Sequence, residues 1–268
     1  MAYEISGTVN QDCRIKVVVG NKLIGYKDVT TGSYSVIFPF FKYENFTSLD
    51  PVYLDFDKTG DGPDPFLDGN KLKISLLDTL STSGMSINSE GIWYLSGDFD
   101  IQLFVSEMVN ISSASAMRLR ALVDDDNFVD IAMVETDCHF YNRVAGSLTD
   151  IASVNVGNVV KNGFRLVRSG SNTSGYTYTS LNDWQQVGTA DSLGIGSNDV
   201  FLRFFSARWN STGAISCKLE NFTINSGNPV TYSPFVASVV AENSSGKVLG
   251  YGEVQPSYTA SAVDITLV

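Results

Sequence analysis

The chain has 268 residues, 43% apolar and 12% aromatic, so it can bury a real core and is not a disordered chain. Its 18 basic and 29 acidic residues give a net charge of −11, which removes the basic footprint that nucleic acid needs. No apolar run approaches the roughly 18–20 residues that cross a bilayer, and Met1-Ala2-Tyr3-Glu4-Ile5 has neither a basic segment nor an apolar stretch. A protein made in a cytoplasm is expected, with no signal peptide, no membrane insertion and no nucleic-acid partner.

From the N-terminus, Ile15, Val17 and Val19 alternate with Arg14, Lys16 and Val18, the period of two that marks a strand. Tyr34 to Phe38 is a further apolar strand. Phe99, Ile101, Leu103 and Val105 alternate with Asp98, Asp100, Gln102 and Phe104. Met117 to Glu135 reads as a hairpin turning at Asp124-Asp125-Asp126-Asn127. Val200, Leu202 and Phe204 alternate with Phe201, Arg203 and Phe205. Turn clusters such as Asn172-Thr173-Ser174-Gly175 and Ser244-Ser245-Gly246 bound the segments, and no stretch of helix length keeps a 3.6 period. The pattern predicts an all-β, antiparallel sandwich or jelly roll. Cys13, Cys138 and Cys217 are far apart and odd in number, which argues for small apolar strand residues rather than a disulfide framework or zinc site.

Lys22-Leu23-Ile24-Gly25-Tyr26-Lys27-Asp28-Val29 is echoed near the other end by Lys247-Val248-Leu249-Gly250-Tyr251-Gly252-Glu253-Val254. Each copy follows an apolar strand and precedes another. A lone hairpin has nothing to cover its apolar face. Either short strands coincide, or residues 1–44 and 226–268 form one small sandwich with 45–225 inserted between them.

The middle of the chain resembles the concanavalin A-like lectin/glucanase jelly roll. The resemblance rests on Ile92-Trp93-Tyr94-Leu95-Ser96-Gly97-Asp98-Phe99-Asp100-Ile101, the Met117–Glu135 hairpin, Gly163 to Gly170 followed by Asp183-Trp184, and Glu220-Asn221-Phe222-Thr223-Ile224. Ile5-Ser6-Gly7-Thr8-Val9, with Gly32-Ser33-Tyr34-Ser35-Val36, resembles small carboxypeptidase-regulatory-like or Ig-like sandwiches. Together these modules look like components of tailed-phage virions. The resemblance implies a jelly roll inserted into a small Ig-like sandwich that docks it.

Glucanase relatives use paired carboxylates, with Glu, Asp and Glu at alternate positions of one strand. The nearest match is Glu135-Thr136-Asp137-Cys138-His139, where His139 replaces the third acid. No catalytic residue is therefore expected. Strand alternation would still put Glu135, Asp137, His139 and Tyr141 on one face. That face reads as solvated, or as a glycan groove. Asp55, Asp57 and Asp61 suggest a Ca2+ loop, but Thr59 and Phe66 break the EF-hand pattern, so an acid-rich turn and no cofactor are expected. Trp93 and Trp184 lie inside strand patterns and read as core, whereas Trp209 precedes a turn and is the best exposed sugar-stacking candidate.

The expected function is a non-enzymatic virion structural protein, a capsid decoration or tail appendage present in many copies or as a homo-oligomer. Its expected partners are other virion proteins and host-surface glycan. A glucanase-like hydrolase is the first alternative and a spacer that binds no glycan the second.

Overall fold

The computed structural model describes residues 2–19, 22–39, 43–44, 55–60, 62–77, 82–90, 93–109, 112–157, 161–178, 183–191, 194–209, 213–231, 237–254 and 261–262. The chain is all-β and divides into two compact units, Met1–Phe40 with Ser233–Val268, and Phe41–Tyr232. No helix among the described residues is long and apolar enough to cross a membrane.

The smaller unit has two sheets. One places β1 (Ala2–Val9) between β4 (Gly32–Pro39) and β22 (Ser261–Ala262). The β1–β22 pairing is parallel, which departs from the antiparallel expectation. The other sheet runs β21 (Val248–Val254), β20 (Ala237–Glu242), β2 (Cys13–Val19), β3 (Lys22–Val29). Ile15 and Val17 of β2, with Val239 and Ala241 of β20, are buried. The two copies of the sequence echo form the opposite edges of this sheet. In β3 the register passes from Gly25 to Leu23 over Ile24, and in β21 from Gly250 to Val248 over Leu249. Each edge strand thus carries a bulge at the same place in the echo, a device that blunts an open edge.

The larger unit is a jelly-roll sandwich of two antiparallel sheets. The seven-stranded sheet runs β14 (Ser147–Asn155), β13 (Asp137–Val144), β12 (Asn127–Val134), β11 (Ser115–Asp124), β18 (Phe201–Trp209), β9 (Thr82–Asn88), β6 (Asp55–Thr59). The eight-stranded sheet runs β17 (Trp184–Asp191), β16 (Asn172–Tyr178), β15 (Lys161–Ser169), β10 (Trp93–Val109), β19 (Ile215–Thr231), β8 (Lys71–Leu76), β7 (Phe66–Asp68), with β5 (Tyr43–Glu44) also on β19. Because Tyr43–Glu44 pairs with Phe222–Thr223 and β19 continues to Thr231, residues 43–44 and 226–231 belong to the jelly roll rather than to the terminal unit.

The core lies between the sheets. Phe99, Ile101, Leu103 and Val105 of β10 are all buried, as the alternation requires. Phe164 of one sheet meets Phe204 of the other at 6.4 Å between centroids. Phe140 of β13 points into the same layer, where Gly175 and Gly188, cross-strand neighbours in β16 and β17, leave room for its ring. Trp93 is fully buried, and Trp184 is half-buried against Phe104 and Tyr178.

All three cysteines are buried, unpaired strand residues. Burial pushes the Cys138 and Cys217 thiols up to about 12, and burial with the nearby Asp12 charge raises Cys13. Unfolded thiols titrate near about 8.5. The folded thiols hold their protons more tightly, so their contribution to stability is intact below that value and is lost as the pH rises toward about 12. A thiol-specific reagent at neutral pH should therefore label the native chain negligibly and all three cysteines after urea unfolding. Rapid labelling of Cys138 in the native chain would contradict this packing.

Candidate functional site

The outward face of the seven-stranded sheet is read most directly from its register. One cross-strand row runs Asn88, Arg203, Arg120, Asp130, Tyr141, Asp150 from β9 to β14. The neighbouring row runs Asp57, Ser86, Phe205, Arg118, Ala132, His139, Ser153 from β6 to β14. Strand alternation puts these side chains opposite Met117, Leu119, Ile131, Phe140 and Phe204, which fill the core.

Asp130 is fully buried on this polar side. Its Oδ2 accepts from Arg120 Nη2 at 2.7 Å, Arg120 Nε at 3.1 Å and Arg118 Nη1 at 3.4 Å, while its Oδ1 has no hydrogen-bond partner among the described residues. The two arginines lie two residues apart on β11, so a strand presents both to one carboxylate on β12. Burial lowers Arg120 from the usual guanidinium range; Asp130 opposes that, and the charges of Arg118 and Arg203 add to it. The Arg120 guanidinium also lies 3.3 Å from the centroid of the Phe128 ring. These overlapping side chains explain why β12 is buried on both faces, where a half-wet sheet would alternate.

Arg118 is a hub for aromatic rings. Its guanidinium sits 5.2 Å from the Tyr141 ring, 5.8 Å from Phe205 and 5.5 Å from Trp209. The structure thus brings together Tyr141 and Trp209, which the sequence offered as separate candidates. Trp209 is 37% exposed. His139 stacks on Tyr141 with 5.4 Å between centroids, and its Nδ1 is 2.8 Å from Asp150 Oδ2. Burial, with the charge of Asp150, raises the Tyr141 phenol. Beside the hub, Asp57, Thr59, Ser86, Arg120, Arg203 and Phe205 line a cavity of about 150 Å3.

Glu135 is a correction. It stands in the two-residue turn between β12 and β13, exposed and with φ of +53°, so it does not share a strand face with Asp137, His139 and Tyr141. Asp137, at the start of β13, accepts from Asn155 Nδ2 at 2.5 Å and lies at the rim. The acid-rich segment is also corrected, because Asp55–Thr59 is a strand paired with β9 rather than a turn. Asp57 is exposed on it, Asp61 lies outside the described residues, and so does the side chain of Asp55. Among the described residues no cluster of three His, Cys, Asp or Glu is placed to hold a metal. At the Asp124-Asp125-Asp126-Asn127 hairpin the carboxylates are spent locally. Asp124 accepts from Asp126 N, Asp125 pairs with Arg203, and Asp126 with Arg143.

Sequence reading missed Arg118, Arg120, Asp130, Arg203 and Phe205. A signal was present in Phe128-Val129-Asp130-Ile131-Ala132-Met133, a single acid inside an apolar strand. A buried carboxylate needs partners, and the facing strand Met117-Arg118-Leu119-Arg120-Ala121 supplies two cations.

No family model matches the chain, and no curated protein does. Solved structures are similar in fold at very low identity. Laminarinase from Flavobacterium sp. UMI-01 is 8% identical, with a TM-score of 0.54 over 68% of this chain and 97% of that one. The CBM2 module of the evolved Dit of Lactobacillus casei BL23 phage J-1 is 11% identical, with a TM-score of 0.51 over 69% of this chain and 95% of that one. The GH43 protein BlXynB from Bacillus licheniformis is 9% identical, with a TM-score of 0.53 over 76% of this chain. The chain spans 42% of that hydrolase and 44% of a Bacteroides ovatus GH43B. The fold these structures share with the chain is the concanavalin-like β-sandwich.

Proposed function

We propose that this chain is a non-catalytic structural component of a tailed-phage virion, a decoration or tail-appendage subunit, whose jelly roll binds host-surface glycan on the outward face of the seven-stranded sheet. One observation carries the reading: Arg118 gathers Tyr141, Phe205 and Trp209 above the buried Asp130. Sugar recognition asks for this mixture. A ring covers the apolar C–H face of the sugar, and fixed polar groups set the orientation of its hydroxyls. The row from β9 to β13 crosses five strands, about 19 Å at the usual spacing, room for an extended oligosaccharide.

Retaining glycosidases set two carboxyl groups about 5–5.5 Å apart. Along Met117–Ala121, Phe128–Met133 and Leu202–Arg208 the one acid is Asp130, and its Oδ2 is engaged by two arginines. This supports binding over hydrolysis. The virion assignment draws on the phage module among the similar folds and on the resemblance of the terminal pieces. The terminal unit would dock to other virion proteins, and many copies per particle would turn weak single sites into avid attachment.

Trp209→Ala in the full chain should weaken glycan binding about tenfold, the worth of one stacking contact of about 1.4 kcal/mol. Its unfolding midpoint should stay close to that of the parent, because Trp209 is at the surface. Unchanged binding would remove this face from consideration. Release of reducing ends from laminarin by the purified wild-type chain would move the protein to the hydrolases. Mass spectrometry of purified particles tests the virion assignment, which falls if the chain is absent from them.

A further inference from the structure

We infer that the glycan is acidic, with an oxyanion seated between Arg120 and Arg203 in the cavity beside Phe205; this rests on the proposed glycan face and names the ligand class. Four of the eight arginines of the chain, Arg118, Arg120, Arg143 and Arg203, stand on this one face, in a protein of net charge −11. Arg120 and Arg203 are direct cross-strand neighbours. Like charges in that position repel, and an anion between them reverses the sign of the interaction.

The acids that balance this cluster are, apart from Asp130, exposed at its rim. Asp130 is the one buried acid among the central strands, and it serves both Arg118 and Arg120. Arg203 is held by Glu90 and Asp125, whose side chains are 53% and 80% exposed. Such solvated partners contribute little and yield readily. Arg120 Nη1 and Arg203 Nε donate no hydrogen bond among the described residues. Both arginines line the cavity of about 150 Å3. Water takes about 30 Å3 per molecule in the liquid, so a carboxylate or phosphate with part of its sugar ring fits.

The opposite wall fits the rest of such a sugar. Ser86 and Thr59 offer hydroxyls, and Asp57 is an exposed carboxylate that accepts hydrogen bonds. Asp57 repels an anion, which fixes the orientation: oxyanion toward the arginines, ring hydroxyls toward Asp57. Phe205 supplies the apolar surface between them. A uronate carboxylate and a sugar-linked phosphodiester share this chemistry, since a planar guanidinium fork suits either.

The full chain would be titrated calorimetrically with polygalacturonate, with poly(glycerol phosphate) and with laminarin, at low and high salt. At least one anionic polymer should bind tenfold or more tightly than neutral laminarin, and its affinity should fall as salt screens the charges. Preference for polygalacturonate assigns the carboxylate, and preference for poly(glycerol phosphate) the phosphate. Arg203→Gln should cut the anionic affinity at least tenfold and remove most of the salt dependence. Arg203→Lys, which keeps the charge and loses the fork, should retain part of both, with unfolding midpoints showing that each variant folds. Laminarin binding as tight as either anionic polymer, or an anionic preference that survives Arg203→Gln, overturns the acid selectivity while leaving the glycan face standing. Binding of none of the three overturns both.

Discussion

Asp130→Asn is expected to destabilise the folded chain by about 3–5 kcal/mol. The change keeps the shape of the side chain and removes the one buried carboxylate that, among the described residues, pairs with Arg118 and Arg120. Both cations stay where they are, because their guanidinium groups lie over the Phe128 and Phe205 rings. A buried cation without its counter-charge meets the desolvation penalty that the carboxylate had offset. Urea unfolding of the two proteins measures the difference. The double change Asp130→Leu with Arg120→Met should recover more than half of the loss, since apolar residues of similar volume often replace a buried ion pair at little cost. A loss below about 1 kcal/mol, the range of exposed pairs, would mean that water reaches the cluster and that the face is more open than its burial indicates.

Phe140→Ala should cost about 3–5 kcal/mol, the usual range for removing a fully enclosed phenyl ring. The ring sits in a notch between the sheets. A methyl group added at Gly175 would meet Phe140 Cδ2 at 2.5 Å, and one at Gly188 would meet Cδ1 at 3.1 Å. Gly175→Ala should therefore cost about 1–3 kcal/mol by overpacking. The two effects share a cause, so they should not add. In Phe140→Leu the Gly175→Ala change should lose much of its cost, because the smaller side chain leaves space for the methyl. Additive losses would show that the ring and the glycines are independent. Thermal or urea unfolding of the four proteins closes the cycle.

The alternation of Ile15 with Val17, and of Phe99 with Ile101, Leu103 and Val105, made the strands legible, because a half-buried strand writes its two faces into the sequence. The Asp124-Asp125-Asp126-Asn127 hairpin was legible for a similar reason, since Asp and Asn hydrogen-bond their own turns. Glu135 was misread because Glu-Thr carries no turn signature, and only its left-handed backbone reveals the reversal. The Arg118, Arg120 and Asp130 cluster escaped notice for another reason. Its members come from two strands, and register decides whether they meet; nothing in either strand alone states it. Tyr141 and Trp209 were found separately, but their junction through Arg118 needed β18 placed beside β11 and β13 beside β12.

The pairing of Val17 with Val239 in the terminal unit has a temporal consequence. A ribosome adds about 5–20 residues each second, so β2 emerges roughly 11–45 seconds before its central neighbour β20 exists. During that interval β2 and β3 are a bare hairpin, a form with marginal stability of its own. Every partner that the jelly-roll strands require, by contrast, has already been made by Thr231. Synthesis therefore imposes an order: the inserted sandwich can mature first, and the unit that brackets it closes later, once β20, β21 and β22 have left the ribosome.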